Sequence, residues 1–206
     1  MEKITGCILV GGQSLRMGGG IKSLKQINNE SILERVINRS KTQVKYLSIN
    51  SNSDEKKLIK FLLPIFSDVI KGFLGPLAGI HAALNWAKKN NPQHEWVATF
   101  AGDTPFFPND IVKRLYEEAI KKNKKIIIPK SGGRNHPVFG LWHISLEDDL
   151  AISLKKNNAR KIDHWAKKYF FGTVDFKYKN YDPFFNINTP EDLIKAEEIE
   201  NQFLEK

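Results

Sequence analysis

The residues best suited to chemistry lie in one glycine-rich stretch, Leu9-Val10-Gly11-Gly12-Gln13-Ser14-Leu15-Arg16-Met17-Gly18-Gly19-Gly20-Ile21-Lys22. Its five glycines remove side chains and expose backbone amides, so a phosphate can approach the N–H groups closely. Arg16 can meet phosphate oxygens with its planar fork, and Lys22 adds a mobile point charge. The pattern matches neither common phosphate loop. A P-loop has glycine directly before its lysine and another five residues earlier, where this chain has Ile21 and Arg16. A dinucleotide fingerprint opens with Gly-x-Gly-x-x-Gly, which Gly11-Gly12-Gln13 does not supply. A merely flexible, turn-rich loop is the bland alternative. The placing of Arg16 and Lys22 where phosphate binding needs them speaks against it.

A second centre is Phe100-Ala101-Gly102-Asp103-Thr104-Pro105-Phe106. An apolar, strand-like run ends there in a carboxylate. Mg²⁺ is typically held by one or two carboxylates together with phosphate oxygens and water, and Asp103 fits that role. Helix capping, its alternative duty, falls to Asn109 and Asp110, which stand nearer the next helix. Gly75-Pro76-Leu77-Ala78-Gly79-Ile80 starts a helix with proline at its first position, and Gly79 permits close packing. Cys7, flanked by apolar residues, reads as core rather than as a nucleophile. His136 in Asn135-His136-Pro137-Val138 is a lone loop histidine and is given no catalytic step.

Positioning these residues requires strands ending in loops. Strand-length apolar runs cover Ile4–Val10, Lys45–Asn50, Asp68–Ile70, Trp96–Ala101, Lys125–Pro129, Pro137–His143 and Phe170–Asp175. Helical periodicity covers a segment opened by Ser31 and Glu34 as a capping box, then Asp54–Leu63, Pro76–Lys89, Pro108–Lys122, Ser145–Lys156, Ala159–Lys168 and a last helix from Thr189-Pro190. Asp192 is the capping partner of Thr189. Alternation of this kind predicts an α/β fold: one Rossmann-like three-layer domain over residues 1–206, with a mostly parallel sheet and helices on both faces. Ligands then sit beyond the carboxyl ends of the strands.

The chain has 206 residues, 41% hydrophobic and 27% charged, as a globular protein requires. Net charge is +9, yet the lysines are scattered, often beside asparagine, and no arginine-rich stripe appears, so a nucleic-acid partner is not expected. No apolar run nears the roughly 20 residues that span a bilayer. One cysteine and no secretory signal point to the cytoplasm.

The pattern Leu-x-Gly-Gly-x-Ser-x-Arg-Met-Gly-Gly-x-x-Lys resembles the signature loop of the nucleotidyltransferase superfamily. The double glycine after Arg16-Met17, Gly75-Pro76-Leu77-Ala78-Gly79, Asp103-Thr104-Pro105 and Asn186-Ile187-Asn188-Thr189-Pro190-Glu191 resemble the molybdenum cofactor guanylyltransferases, the MobA family, from Ile4 to about Leu193. The resemblance implies transfer of GMP from GTP to the phosphate of Mo-molybdopterin, with Mg²⁺ as cofactor and molybdopterin-delivering proteins as further partners. It implies Arg16, Lys22 and Asp103 as catalytic residues, with Asp103 also the metal ligand. Leu9, Val10, Gly11, Gly12, Asn50 and Gly72 are expected at the nucleotide. Asn186, Asn188 and the His136-Pro137 pair are expected beside the pterin. Rival readings are a cytidylyl- or uridylyltransferase acting on the same cofactor or a sugar phosphate, and a nucleotide-binding module that regulates. Two positions depart from the family pattern. Ile21 replaces an acidic residue before the loop lysine. The loop after the third strand, Lys71-Gly72-Phe73-Leu74, lacks the family's aspartate, so guanine selection is expected to rest on weaker backbone carbonyls.

Overall fold

A computed structural model describes residues 3–11, 20–53, 55–72, 75–156 and 161–203. Gly12 and Arg16 lie outside the described residues.

In chain order the elements are β1 (Ile4–Val10), β2 (Gln26–Ile27), β3 (Glu30–Ser31), α1 (Ile32–Lys41), β4 (Tyr46–Ser51), β5 (Ile65–Phe66), α2 (Pro76–Asn90), β6 (Trp96–Ala101), α3 (Ile111–Lys122), β7 (Ile126–Ser131), β8 (Arg134–Asn135), β9 (Gly140–His143), α4 (Glu147–Lys156), α5 (Ile162–Ala166), β10 (Gly172–Asp175) and α6 (Pro190–Phe203). Eight strands form one sheet in the order β10-β7-β9-β6-β1-β4-β5, with β8 paired to β7. β5, β4, β1 and β6 run parallel, as do β7 and β10, while β9 is antiparallel to both its neighbours. The mostly parallel α/β sheet expected from the strand–helix alternation is therefore present.

Side chains alternate between the two sheet faces, as strand geometry demands. Ile4, Ile8, Ala98, Phe100 and Ile127 point into a core beneath α1, α3 and α6. Cys7, Val97, Ile126, Ile128 and Trp142 point to the opposite core beneath α2, α4 and α5. Both faces are covered, so the strands can be apolar on both sides. Each fully buried Val, Ile or Phe among them contributes roughly 1.5–3 kcal/mol. Burial also pushes the Cys7 thiol up to about 12, consistent with a core residue.

Local signals set the helix starts. Ser31 Oγ accepts from the Glu34 amide at 3.2 Å and Glu34 Oε2 accepts from the Ser31 amide at 2.8 Å, completing the expected capping box. At α6, Thr189 Oγ1 accepts from the Asp192 amide, and Asp192 Oδ2 accepts from the amides of Thr189 and Asn188. Helix α2 meets α4 through a buried polar cluster in which Glu147 accepts from Asn85 and Lys88 and lies 3.2 Å from His81 Nε2. Burial opposes the Glu147 charge, but these bonds outweigh it and hold the carboxyl down at about 2.

Three expectations are corrected, and one element is additional. The helix expected over Asp54–Leu63 is two short 3₁₀ turns, Glu55–Lys57 and Ile59–Phe61. Leu62 turns left-handed at φ 55°, and Pro64 disfavours helix at the residue before it. The third strand runs Ile65–Phe66 rather than Asp68–Ile70, because Ile49 and Asn50 of β4 pair with Ile65 and Phe66. Asp110 occupies the N-cap of α3 without a side-chain bond, and Asn109 Oδ1 instead accepts from Arg39. The hairpin β7–β8 was not anticipated. It turns through Gly132 and Gly133, both at positive φ, the two-residue loop that glycine pairs favour.

Candidate active site

The carboxyl ends of β1, β4 and β6 open onto a cavity of about 540 Å³. Sheet order gives the cavity its polarity. Asn50 and Asp68 come from the β4–β5 side, Arg134 to Phe139 from the β7–β9 side, and Leu9, Val10, Gly11 and Asp103 from the strands between.

At the centre, Lys22 Nζ donates to Asp103 Oδ2 at 2.5 Å and to Asn188 Oδ1 at 2.7 Å. Both charged side chains are mostly buried, at 14% and 22% exposure, which strengthens their attraction over a surface pair. Lys22 is aimed by a 3₁₀ turn over Lys22–Leu24, and Asn188 by the capping box that starts α6. Thr104 Oγ1 lies 3.1 Å from Asp103 Oδ1 and also contacts the Asn186 amide. Thr104 Oγ1 donates toward both Asn186 Oδ1 and Asp103 Oδ1, and its single proton serves one of these acceptors at a time. The Ile187 amide donates to the Asp103 carbonyl at 3.0 Å. The backbone and the Oδ2 oxygen of Asp103 are thereby fixed, and Oδ1 faces the Thr104 hydroxyl.

These donors suit a hard divalent cation. An ammonium already sits between two oxygens, those of Asp103 and Asn188, where a cation is favoured. Beside it, the Ser23 hydroxyl is buried without a partner among the described residues and borders a recess of about 20 Å³ shared with Gly11, Lys22 and Asp103. Among the described residues no group of three acidic, His or Cys side chains gathers, so a bound nucleotide has to complete any coordination shell.

After the third strand, where the sequence reading expects no carboxylate, the structure places Asp68 at the cavity. Asn50 Nδ2 donates to its Oδ1 at 3.1 Å and Asn52 Nδ2 to its Oδ2 at 2.8 Å, while Asn52 Oδ1 accepts from its amide. Placing the strand three residues late hid this residue inside the strand. Gly72, the expected counterpart, is not among the residues lining the cavity. Gly79 matters by its missing Cβ, which would come within 2.8 Å of Asn50 Oδ1, so α2 can press against the Asn50–Asp68 pair only with glycine there.

At the opposite end His136 stacks on Phe184, with ring centroids 4.4 Å apart. Phe184 packs in turn against Phe139 and Phe176, and each aromatic pair is worth about 0.5–1.5 kcal/mol beyond the area it buries. Of the residues expected at the site, Leu9, Val10, Gly11, Asn50, Asp103 and Asn186 line the cavity, while Lys22, in the adjoining recess, bonds Asp103 and Asn188.

Residues 6–169 match the family described as the MobA-like NTP transferase domain. A molybdenum cofactor guanylyltransferase of Nitrobacter hamburgensis is 42% identical over 194 residues, covering 94% of this chain and 93% of its own. One from Rhodopseudomonas palustris is 41% identical over 192 residues, covering 93% and 91%. The solved structure of molybdopterin-guanine dinucleotide biosynthesis protein A from Archaeoglobus fulgidus superposes with a TM-score of 0.74 at 27% identity, over 97% of this chain and 100% of that one. A conserved-length match of this kind, on a sheet whose strand ends gather Lys22, Asp103 and Asn188, places the chain in the family of MobA-like NTP transferases, to which these guanylyltransferases belong.

Proposed function

We propose that the chain transfers GMP from GTP to the terminal phosphate of Mo-molybdopterin, releasing pyrophosphate. The observation that carries the reading is the position of Asp103, between a cavity end built on Asn50 and Asp68 and another built on Arg134 to Phe139. Two substrates entering from opposite ends meet at that carboxylate.

A phosphate oxygen of the acceptor forms the new bond to the α-phosphorus of GTP. The bridging P–O bond breaks, and its electron pair leaves with pyrophosphate. A phosphate monoester is already anionic, so no general base is needed. Catalysis then rests on positioning and charge. The oxygens of Asp103 and Asn188 would hold Mg²⁺ beside phosphate oxygens, and the chemistry it supplies is neutralisation of the triphosphate. Lys22, with Arg16 from the glycine-rich loop, stabilises charge on the departing pyrophosphate. Leu9, Val10, Gly11 and Gly12 offer backbone to the nucleotide. Asp68 favours guanine, whose N1–H and N2–H₂ donate together to a carboxylate, and so counts against a cytidylyltransferase. Asn186 faces the second substrate.

On this reading residues 1–206 work as one nucleotidyltransferase domain in the cytoplasm, served by molybdopterin-delivering proteins and without nucleic-acid or membrane partners. No described helix is long and apolar enough to cross a membrane. The test is pyrophosphate release with GTP, CTP, UTP and ATP in turn, with Mo-molybdopterin present. Release with GTP is expected to dominate. A higher specificity constant for CTP overturns the guanylyl reading.

A further inference from the structure

Behind His136 stands a polar relay that the transfer reaction does not use. His136 Nε2 lies 2.7 Å from Ser131 Oγ, and Ser131 Oγ donates to Asp182 Oδ1 at 2.8 Å. Ser131 is 1% exposed, so its hydroxyl must find its partners within the protein. A carboxylate only accepts, and the Ser131 proton is therefore committed to Asp182. What Ser131 offers His136 is a lone pair, and Nε2 must carry the hydrogen that meets it. The neutral ring then has a bare lone pair on Nδ1. That nitrogen has no hydrogen-bond partner among the described residues, and His136 is half-buried and lines the cavity.

Asp182 is itself fixed, because its Oδ1 also accepts from the Phe184 amide at 3.0 Å. Phe184 is the ring on which His136 stacks, with planes 14° apart. Hydrogen bonding and stacking thus hold the imidazole from two directions.

We propose that Ser131 and Asp182 are positioning residues that lock His136 in its Nε2–H form, so that Nδ1 presents a fixed hydrogen-bond acceptor to the second substrate. The matching ligand chemistry is a heterocycle with a ring N–H or exocyclic amino donor, stacked within reach of the imidazole edge. The choice of substrate rests on the transferase reading above. The locked tautomer does not.

The test is ¹⁵N NMR of histidine-labelled full-length protein, with His136→Gln assigning its resonance among the five histidines. Wild type is expected to show a protonated Nε2 and a bare Nδ1. Ser131→Ala should give a mixture of tautomers, and Ser131→Thr should restore the single form. In steady-state kinetics Ser131→Ala should raise KM for Mo-molybdopterin ~3- to 10-fold, the scale of one neutral hydrogen bond, with KM for GTP unchanged and Thr restoring it. A protonated Nδ1 in wild type, or a tautomer indifferent to Ser131→Ala, overturns the lock. A rise shared equally by GTP overturns the assignment of the acceptor to the second substrate. Absence of GMP transfer altogether removes the transferase reading, while the NMR result still decides the lock.

Discussion

Lys22 Nζ donates to Asp103 Oδ2 at 2.5 Å and to Asn188 Oδ1 at 2.7 Å, joining positions 81 and 166 residues apart in sequence. A cation thus sits against the cavity-lining Asp103 before any substrate binds. On the proposed reading, a triphosphate bound with a metal would offer Lys22 stronger acceptors and leave the Asp103 carboxylate to the metal.

Asp103→Ala is accordingly expected to lower turnover by at least ~10²–10³-fold, the scale on which one preorganised charge contact is lost. The fold should persist, since the carboxylate meets the polar groups of Lys22 and Thr104 at the cavity edge and belongs to neither apolar core. Pyrophosphate release and circular dichroism check the two halves. Near wild-type turnover with Mg²⁺ would exclude Asp103 as metal anchor.

Lys22→Ala and Arg16→Ala should depress kcat more than they weaken GTP binding. Charge moves onto the bridging oxygen as the bond breaks, so attraction to these cations grows toward the transition state. Single-turnover rates set against nucleotide Kd separate the effects. Weaker binding with unchanged turnover would make both residues mere affinity contacts.

Asp68→Asn should erode guanine preference, read as the ratio of GTP to ATP specificity constants, by ~10-fold or more. The amide keeps one acceptor and turns the other into a donor aimed at the guanine donors. Asn52→Ala should give a smaller loss, since Asn50 still holds the other oxygen of Asp68. An unchanged ratio in Asp68→Asn would move base selection elsewhere.

Asn186→Ala and Asn188→Ala should separate. Asn186 lines the cavity, so its loss should raise KM for Mo-molybdopterin more than KM for GTP. Asn188 bonds Lys22, so its loss should lower kcat while leaving the ratio of the two KM values unchanged. Identical kinetic profiles for the two variants would refute the division.

Stability should fall on acidification between pH 7 and pH 5. Burial holds His81, His94, His136 and His143 below the ordinary histidine value. Below ~6.5 the unfolded chain takes up protons that the folded chain refuses, so stability present at neutral pH is lost as pH drops toward the folded values. Glu147 adds a second loss at lower pH, beginning near the usual carboxylate value and complete only below about 2. Urea midpoints measured from pH 7 to pH 5 check the first limb, and His81→Gln should flatten it. A flat profile in wild type would show the imidazoles to be equally accessible in both states.

Much of this was legible in the sequence, and for physical reasons. The seven residues of β1 and six of β6 are long apolar runs, and Ser31-x-x-Glu34 and Thr189-x-x-Asp192 are short-range caps that act without tertiary help. Lys22 and Asp103 could be singled out because cations and strand-end carboxylates have few other uses in glycine-rich loops. Asp68 was hidden because β5 has only two residues, too short for periodicity, and is defined solely by its pairing with β4. The β7–β8 hairpin carried a readable Gly132-Gly133 turn, but its strand of two residues had no pattern of its own. The His136–Ser131–Asp182 relay joins residues whose partnership depends on where the segment after β10 returns, which no local signal encodes.

That returning segment acts as a ruler. Within seven residues it meets Ser131 through Asp182, His136 through Phe184, Thr104 through Asn186, the Asp103 carbonyl through Ile187 and Lys22 through Asn188. Inserting or deleting one residue between Asp182 and Asn188 would put one end of the cavity out of register with the other. In chimeras between relatives, residues 182–188 should therefore travel with the β7–β8 hairpin and the loop bearing Lys22 as one inheritance unit, and grafts that divide them should fold yet fail to couple the two substrates.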